Sequence, residues 1–300
     1  MKILVQNSKH KNWKRTAFIL ILLAPAVLHL LIFWLGVQLQ NFVLAFTNPN
    51  TNEFTLFGNF QYVTDALFGG GDPYLKEAVG NTFIFFIVGI VLIPACMFVS
   101  YLIHRKMIFG GFAKIMLYLP GAISGIMMAM LYRQLMASDG PIFSGVMGNL
   151  FGGDSFLTEH AVAYIVVYDV WIGLGSNLVI WLGGMSRIPE ELFESASLDG
   201  ISTVKEFVSI VLPLCWPTFV TMVTLQIIGI FGASGSVLLL TEGRYGSYTI
   251  NYWLYYIVLS GQTGQYNYSA ATGLFFTVLT IPLVFVGRWF MRKFGEAVEY

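Results

Sequence analysis

The sequence predicts an all-α, polytopic membrane protein with six transmembrane helices, and three observations predict it. Of its 300 residues only 11 % are charged, while 56 % are hydrophobic and 16 % aromatic, with a mean hydropathy of +0.72. A soluble domain carries roughly 25 % charged residues, and a surface so poor in charge would not stay dissolved. Six apolar stretches approach the length, about 20 residues, at which a helix crosses a ~30 Å hydrocarbon layer with its backbone satisfied. Lys and Arg, finally, collect on alternate loops. The net charge of zero argues against a nucleic-acid partner, whose binding rests on phosphate neutralisation.

The predicted spans run approximately 16–37, 81–103, 113–134, 161–185, 208–240 and 269–291, and the fifth is long enough to break or leave the membrane. The first follows a basic run, Lys9, Lys11, Lys14 and Arg15. Its apolar part exceeds a signal-peptide core and no Ala-x-Ala site follows, so it reads as an anchor. Of the 16 Lys and Arg, only Lys76, Arg133 and Arg244 fall on the side opposite the N-terminus. The positive-inside rule then puts both termini in the cytoplasm, with tails at 1–15 and 294–300 and a transmembrane domain at 16–293. Cys96 and Cys215 lie in apolar surroundings without metal-type spacing and read as small buried hydrophobes.

On the external side, 38–80 is rich in Asn, Gly and Thr, with a Gly69-Gly70-Gly71-Asp72-Pro73 turn, and reads as a loop. Between the fifth and sixth spans, Tyr248, Tyr252, Tyr255 and Tyr256 follow helical spacing. They form either an interfacial aromatic belt or a half-helix whose rings stack on a substrate.

The most specific pattern is the cytoplasmic loop 186–207 and the start of the next span. Pro189 suits a first helical position, Glu190 and Glu191 complement the positive end of the helix dipole, and Gly200 permits the left-handed residue that ends a helix. Ser202 or Thr203 can cap the following helix, and Thr203 with Glu206 makes a capping box. Ile188, Leu192, Phe193 and Ala196 form a narrow apolar stripe flanked by Glu190, Glu191, Glu194 and Asp199. A helix lying on anionic lipid carries Lys and Arg on its polar face; an acidic one prefers a basic protein surface.

Glu194-Ser195-Ala196, three residues, Gly200, nine residues, and then Ile210-Val211-Leu212-Pro213 resembles the EAA loop of ATP-binding-cassette (ABC) importer permeases. That loop reads Glu-Ala-Ala, three residues, Gly, nine residues, Ile-x-Leu-Pro. Leu117-Tyr-Leu-Pro120, Trp171-x-Gly-x-Gly-x-Asn177 and Leu240-Thr-Glu-Gly243 extend the likeness over about 15–293, on the side of the maltose-type and glycerol-phosphate-type carbohydrate permeases. Arg244 and Tyr245 depart from that family's Thr-x-Gly-Gly-Pro.

The resemblance implies a type I ABC importer permease fold in a bacterial cytoplasmic membrane. It implies no cofactor in this chain: ATP and Mg are bound by a pair of ATPase subunits that receive the helix 188–199. A second, homologous permease completes a heterodimer, and an extracytoplasmic sugar-binding protein delivers the substrate. In agreement, the sequence has no Gly-x4-Gly-Lys-Ser/Thr phosphate loop. Nor does it show a metal-type His/Glu spacing or a Ser-His-Asp constellation, which speaks against a membrane-embedded enzyme.

His29, Asp169, Asn177 and Gln226 fall inside predicted spans, where an unpaired polar group is costly. His29, Asn177 and Gln226 fit interhelical hydrogen bonding. Asp169 shares a small, polar helix face with Gly173 and Ser176, as a cavity wall would. Register carried over from the resemblance gives Asp169, Ile172, Gly173 and Ser176 as substrate contacts, with Gly121 and Gly125 on the third span and Gly229 and Gly232 on the fifth. Four glycines would leave a roomy pocket suited to an oligosaccharide; the competing reading is close helix packing. The rival functions are the same fold serving glycerol phosphate or another solute, and an ion-coupled secondary transporter with Asp169 as its ion site.

Overall fold

The computed structural model describes residues 8–70, 72–106, 110–137, 150, 154–232, 235–259, 261 and 265–294; the C-terminal tail beyond Phe294 and part of the N-terminal tail lie outside them. Among these residues the structure is helical, with one isolated antiparallel bridge between Thr47 and Phe54. Contacts divide the chain into two compact units, Met1–Val63 with Gly261–Leu274, and Thr64–Ser260 with Phe275–Tyr300.

In the first unit, α1 (Ser8–His29), a π-helical stretch (Leu30–Leu35) and α2 (Gly36–Ala45) make one apolar helix. Its candidate span, Arg15–Ala45, has 31 residues and none of its apolar window is buried within the chain. His29 packs on Phe33, ring centroids 5.0 Å apart. The carbonyls at the end of α2 would be orphans. Asn59 Nδ2 donates to Ala45 O and Thr47 O, both at 2.9 Å, and Asn267 Nδ2 donates to Thr47 O at 2.8 Å. The segment expected to be loop therefore contains an ordered helix, α3 (Gly58–Phe68).

The second unit is built around α4 (Pro73–His104) and α8 (Ala161–Met185), 32 and 25 residues long, which pack along each other. α4 starts eight residues before the span expected at 81, because Asp72 caps it by accepting from the Tyr74 and Leu75 amides and Pro73 suits its first turn. α5 (Gly110–Ala122) lies along α8, followed by α6 (Gly125–Met136) and α7 (Asp154–Glu159). The last long helix is α15 (Gln265–Phe294).

Two of the six expected spans are not single helices. Gly111–Ala122 and Gly125–Met136 meet at 108° across Ile123 and Ser124, so the stretch expected as one helix at 113–134 is a bent pair. The fifth does break, as its length suggested: Thr203–Leu214 and Trp216–Ile228 meet at 77°. Cys215 at the bend has φ −91° and ψ 6°, and Pro217 opens the next turn. That stretch comprises α10 (Thr203–Glu206), a π-helical turn (Phe207–Val211), α11 (Leu212–Leu214) and α12 (Trp216–Ile228). It gives out at Gly229, and α13 (Gly235–Leu240) is a separate short helix against α6 and α8.

Two apolar clusters organise this unit. One gathers Phe85, Tyr132, Tyr164, Tyr168, Val237, Leu240 and Tyr252. The other, toward the end that carries Arg105 and Arg187, gathers Ile93, Met97, Tyr101, Trp181, Met185, Phe193 and Val211, with both free cysteines, Cys96 and Cys215, buried in it. Glycines permit the close approach of the helices. A Cβ at Gly175 would run into the Leu117 carbonyl oxygen, and one at Gly173 would lie 2.6 Å from Leu92 Cδ2.

Candidate functional site

The acidic loop folds as a short helix seated on the bundle. Pro189 takes the N-cap position, one residue ahead of the place expected, and α9 (Glu190–Leu198) follows with Glu190 and Glu191 in its first turn. Gly200 ends it with φ +64°, the left-handed conformation its lack of Cβ allows. Phe193 and Ala196 are buried; Glu190, Glu191, Glu194, Ser195 and Asp199 are exposed, as is Leu198 at 89 %. Of the apolar stripe, Phe193 joins the cluster formed by α4, α8 and the π-turn, Ile188 packs against it and Ala196 is buried, while Leu192 is exposed. Ile210, Leu212 and Pro213 lie in the π-turn and α11, all half-buried.

The capping box expected between Thr203 and Glu206 is not made. Ser202 is the cap, accepting from the Lys205 amide at 3.4 Å. Glu206 is 4 % exposed and turns instead to Arg105, its Oε1 2.9 Å from Arg105 Nε. A buried carboxylate needs a charged donor more than a helix amide needs a second cap.

The second candidate region lies on α8. Asp169 Oδ2 accepts from Ser236 Oγ at 3.1 Å, which ties α8 to α13. Ser236 was not foreseen; a serine at the second position of a short apolar helix carries no signal of its own. Ile172 packs on the tyrosine-rich cluster. Ser176 meets Gly121, whose added Cβ would lie 3.4–3.6 Å from it, and the Gly125 carbonyl accepts from Tyr168 OH at 3.3 Å. Asp169, Ile172, Ser176, Gly121 and Gly125 thus belong to the packed group α5, α6 and α8.

Gly173 faces Leu92 of α4, and its carbonyl accepts from Asn177 Nδ2 at 3.0 Å. Gly229 and Gly232 are exposed at the end of α12, and Asn251 Nδ2 donates to Gly232 O at 2.9 Å. Asn177 and Gln226 share a cavity of about 350 Å³ between α4, α8 and α12, lined also by Gly89, Leu92 and Met222.

The aromatic segment does form a helix, α14 (Ile250–Leu259), carrying Tyr252, Tyr255 and Tyr256. It is fastened to the start of α4: Asn81 Nδ2 donates to Gly246 O and Tyr248 O, both at 2.9 Å, Thr82 Oγ1 accepts from the Ile250 amide, and Trp253 Nε1 donates to Asp72 Oδ2. Burial, helped by the neighbouring Tyr256, Tyr252 and Tyr74 rings and by Glu77, pushes the Tyr248 phenol up to about 12. It is a neutral hydroxyl donor at physiological pH.

Residues 103–300 match the model of the family described as binding-protein-dependent transport system inner membrane component. The chain is 29 % identical over 214 residues to the arabinooligosaccharides transport system permease protein AraP of Bacillus subtilis (strain 168), an alignment covering 69 % of this chain and 67 % of that one. It is 23 % identical to the lactose transport system permease protein LacF of Rhizobium radiobacter, over 90 % and 92 % of the two chains. A chain of the crystal structure of a bacterial ABC transporter that imports the acidic polysaccharide alginate superposes with a TM-score of 0.78 at 21 % identity, over 95 % of this chain and 99 % of that one. With two thirds of its length matched by one family and its fold shared with an importer, the chain belongs to the inner-membrane permease subunits of binding-protein-dependent ABC transport systems, and is a transport subunit rather than an enzyme.

Proposed function

We propose that this chain forms half of the translocation path of an ATP-driven sugar importer, and that its substrate is an oligosaccharide. Its transmembrane domain is 16–293 with both termini cytoplasmic. A second, homologous permease supplies the other half, two ATPase subunits bind ATP and Mg, and an extracytoplasmic binding protein presents the sugar. The observation that carries this reading is α9, whose Phe193 and Ala196 seat it on the bundle while Glu190, Glu191, Glu194, Ser195, Leu198 and Asp199 project outward. A buried anchor with an exposed acidic face suits a basic protein cleft and transmits a push to the helices beneath. The permeases for arabinooligosaccharides and lactose among its relatives support the sugar. Asp169, Ile172, Ser176, Gly121 and Gly125, with Gly173, Gly229 and Gly232, are the proposed substrate-facing positions. An ion-coupled transporter built on Asp169 does not suit a chain of this family.

The test is reconstitution with the ATPase subunits and a second permease. Glu194→Lys reverses charge on the exposed face, and Gly200→Val puts a β-branched residue at φ +64°, a strain of about 1–3 kcal/mol. Both should abolish uptake and release the ATPase subunits on purification while the amount inserted in the membrane is unchanged. Omitting the second permease should leave the unaltered chain inactive. Undiminished ATPase binding and uptake in both variants would overturn the reading.

A further inference from the structure

Arg105 is the C-cap of α4, a place where a cation meets the negative end of the helix. Its side chain does much more than that. Nε lies 2.9 Å from Glu206 Oε1, and Nη2 donates to Glu206 Oε2 at 3.4 Å and to Ser197 Oγ at 3.1 Å. The guanidinium also sits 5.0 Å over the Phe193 ring. Ser197 Oγ in turn donates to Phe193 O at 2.9 Å. From one turn earlier on α4, Tyr101 OH donates to Glu206 Oε1 at 2.9 Å and lies 3.3 Å from Thr203 O. One cation therefore holds both limbs of the acidic loop, α9 through Ser197 and Phe193 and α10 through Glu206, against the end of α4.

The linkage is hard to open. The Arg105 and Glu206 side chains are 28 % and 5 % exposed, and separating them would strand a carboxylate in an apolar cluster, which costs far more than losing a surface ion pair. Tyr101 and Phe207 add ring packing at 5.5 Å. Toward α8 the contact is apolar: Phe193 shares a cluster with Trp181 and Met185.

We propose that Arg105, Glu206 and Tyr101 are positioning residues for coupling: they lock α9, α10 and the end of α4 into one rigid lever, so that a displacement of α9 swings α4 as well as the broken fifth span. The inference rests on α9 being the ATPase dock. Without the lock, α9 would still dock, but its motion would be absorbed at the loop. Sugar gating and ATP hydrolysis would then fall out of step.

The experiment uses the full transporter with Glu206→Gln, Arg105→Met and Tyr101→Phe. In Glu206→Gln and Arg105→Met the ATPase subunits should stay bound, while hydrolysis no longer rises with sugar-loaded binding protein and uptake falls by about tenfold or more, the scale of a typical coupling free energy. Arg105→Lys, which keeps a charge for Glu206, should recover part of the loss. Tyr101→Phe removes no charge and is the variant least disruptive to folding; it should import roughly fivefold less sugar per ATP, at the low end of coupling effects. The proposal is overturned if these variants keep sugar-stimulated hydrolysis and uptake near the unaltered level, or if lost uptake merely follows lost ATPase binding. Should the charged variants fail to insert, an unchanged sugar-to-ATP ratio in Tyr101→Phe overturns it. Retained ATPase binding in Glu194→Lys would instead remove the dock reading, whatever Arg105 does.

Discussion

Asp169 is where a single side chain decides between two roles. An ionised carboxylate has about four acceptor sites and the Ser236 hydroxyl uses one of them, so a sugar hydroxyl and a helix contact can be held together. Losing a charged acceptor from a ligand costs about 1.5–3 kcal/mol, or roughly 10- to 150-fold in transport efficiency. Asp169→Ala should show that loss, Asp169→Asn a smaller one because its amide oxygen still accepts, and Ser236→Ala little change in sugar dependence. Sugar-stimulated ATP hydrolysis and thermal stability, measured side by side, check this; equal destabilisation by Asp169→Ala and Ser236→Ala with unaltered sugar dependence would make the pair purely structural. The carboxylate itself was legible from its depth in an apolar run, whereas Ser236 was not, because nothing in its local sequence marks which helix α13 will touch. The same holds for Glu206: Thr203 and Glu206 have capping-box spacing, yet the distant Arg105 outbids the nearby amide.

Among elements, the long apolar helices were readable, the short helix α3 was not, and a break was foretold only for the fifth span, by its length. Hydropathy over 113–134 is blind to Ile123 and Ser124, where the chain turns by 108°, since an apolar residue and a small one can sit in either a helix or a break. The second bend, beside Pro217, was signalled by the length of its apolar stretch. Glycine spacing left packing and lining indistinguishable; what each glycine abuts is visible only in the fold. At Gly175 a Cβ meets the Leu117 carbonyl, while at Gly183 it meets nothing within 4 Å. Gly175→Ala should therefore force α5 from α8 and cost about 1–3 kcal/mol as overpacking, whereas Gly183→Ala should be near neutral. A lower melting temperature for the first variant alone, measured in detergent, is the expected result.

At the scale of the whole molecule, the class of protein was fixed by composition, span length and basic-residue alternation, which depend on the membrane and not on tertiary contact. The site was legible only as far as its motif, because α9 carries its own caps and pattern, while the cavity around Asn177 and Gln226 exists only once α4, α8 and α12 have packed. The bent pair at 111–136 has a consequence for synthesis. Each of its halves, Gly111–Ala122 and Gly125–Met136, has twelve residues, about 18 Å of helix at 1.5 Å per residue, well short of a ~30 Å hydrocarbon layer. Neither arm crosses by itself, and α8, along which α5 rests, emerges later from the ribosome. The segment must enter the bilayer provisionally, with its broken backbone exposed until the partner arrives. Nascent chains halted before Ala161 should accordingly leave 111–136 open to protease or aqueous thiol reagents, and chains extended past Met185 should close it off; equal protection at both lengths would show that the bent pair inserts unaided.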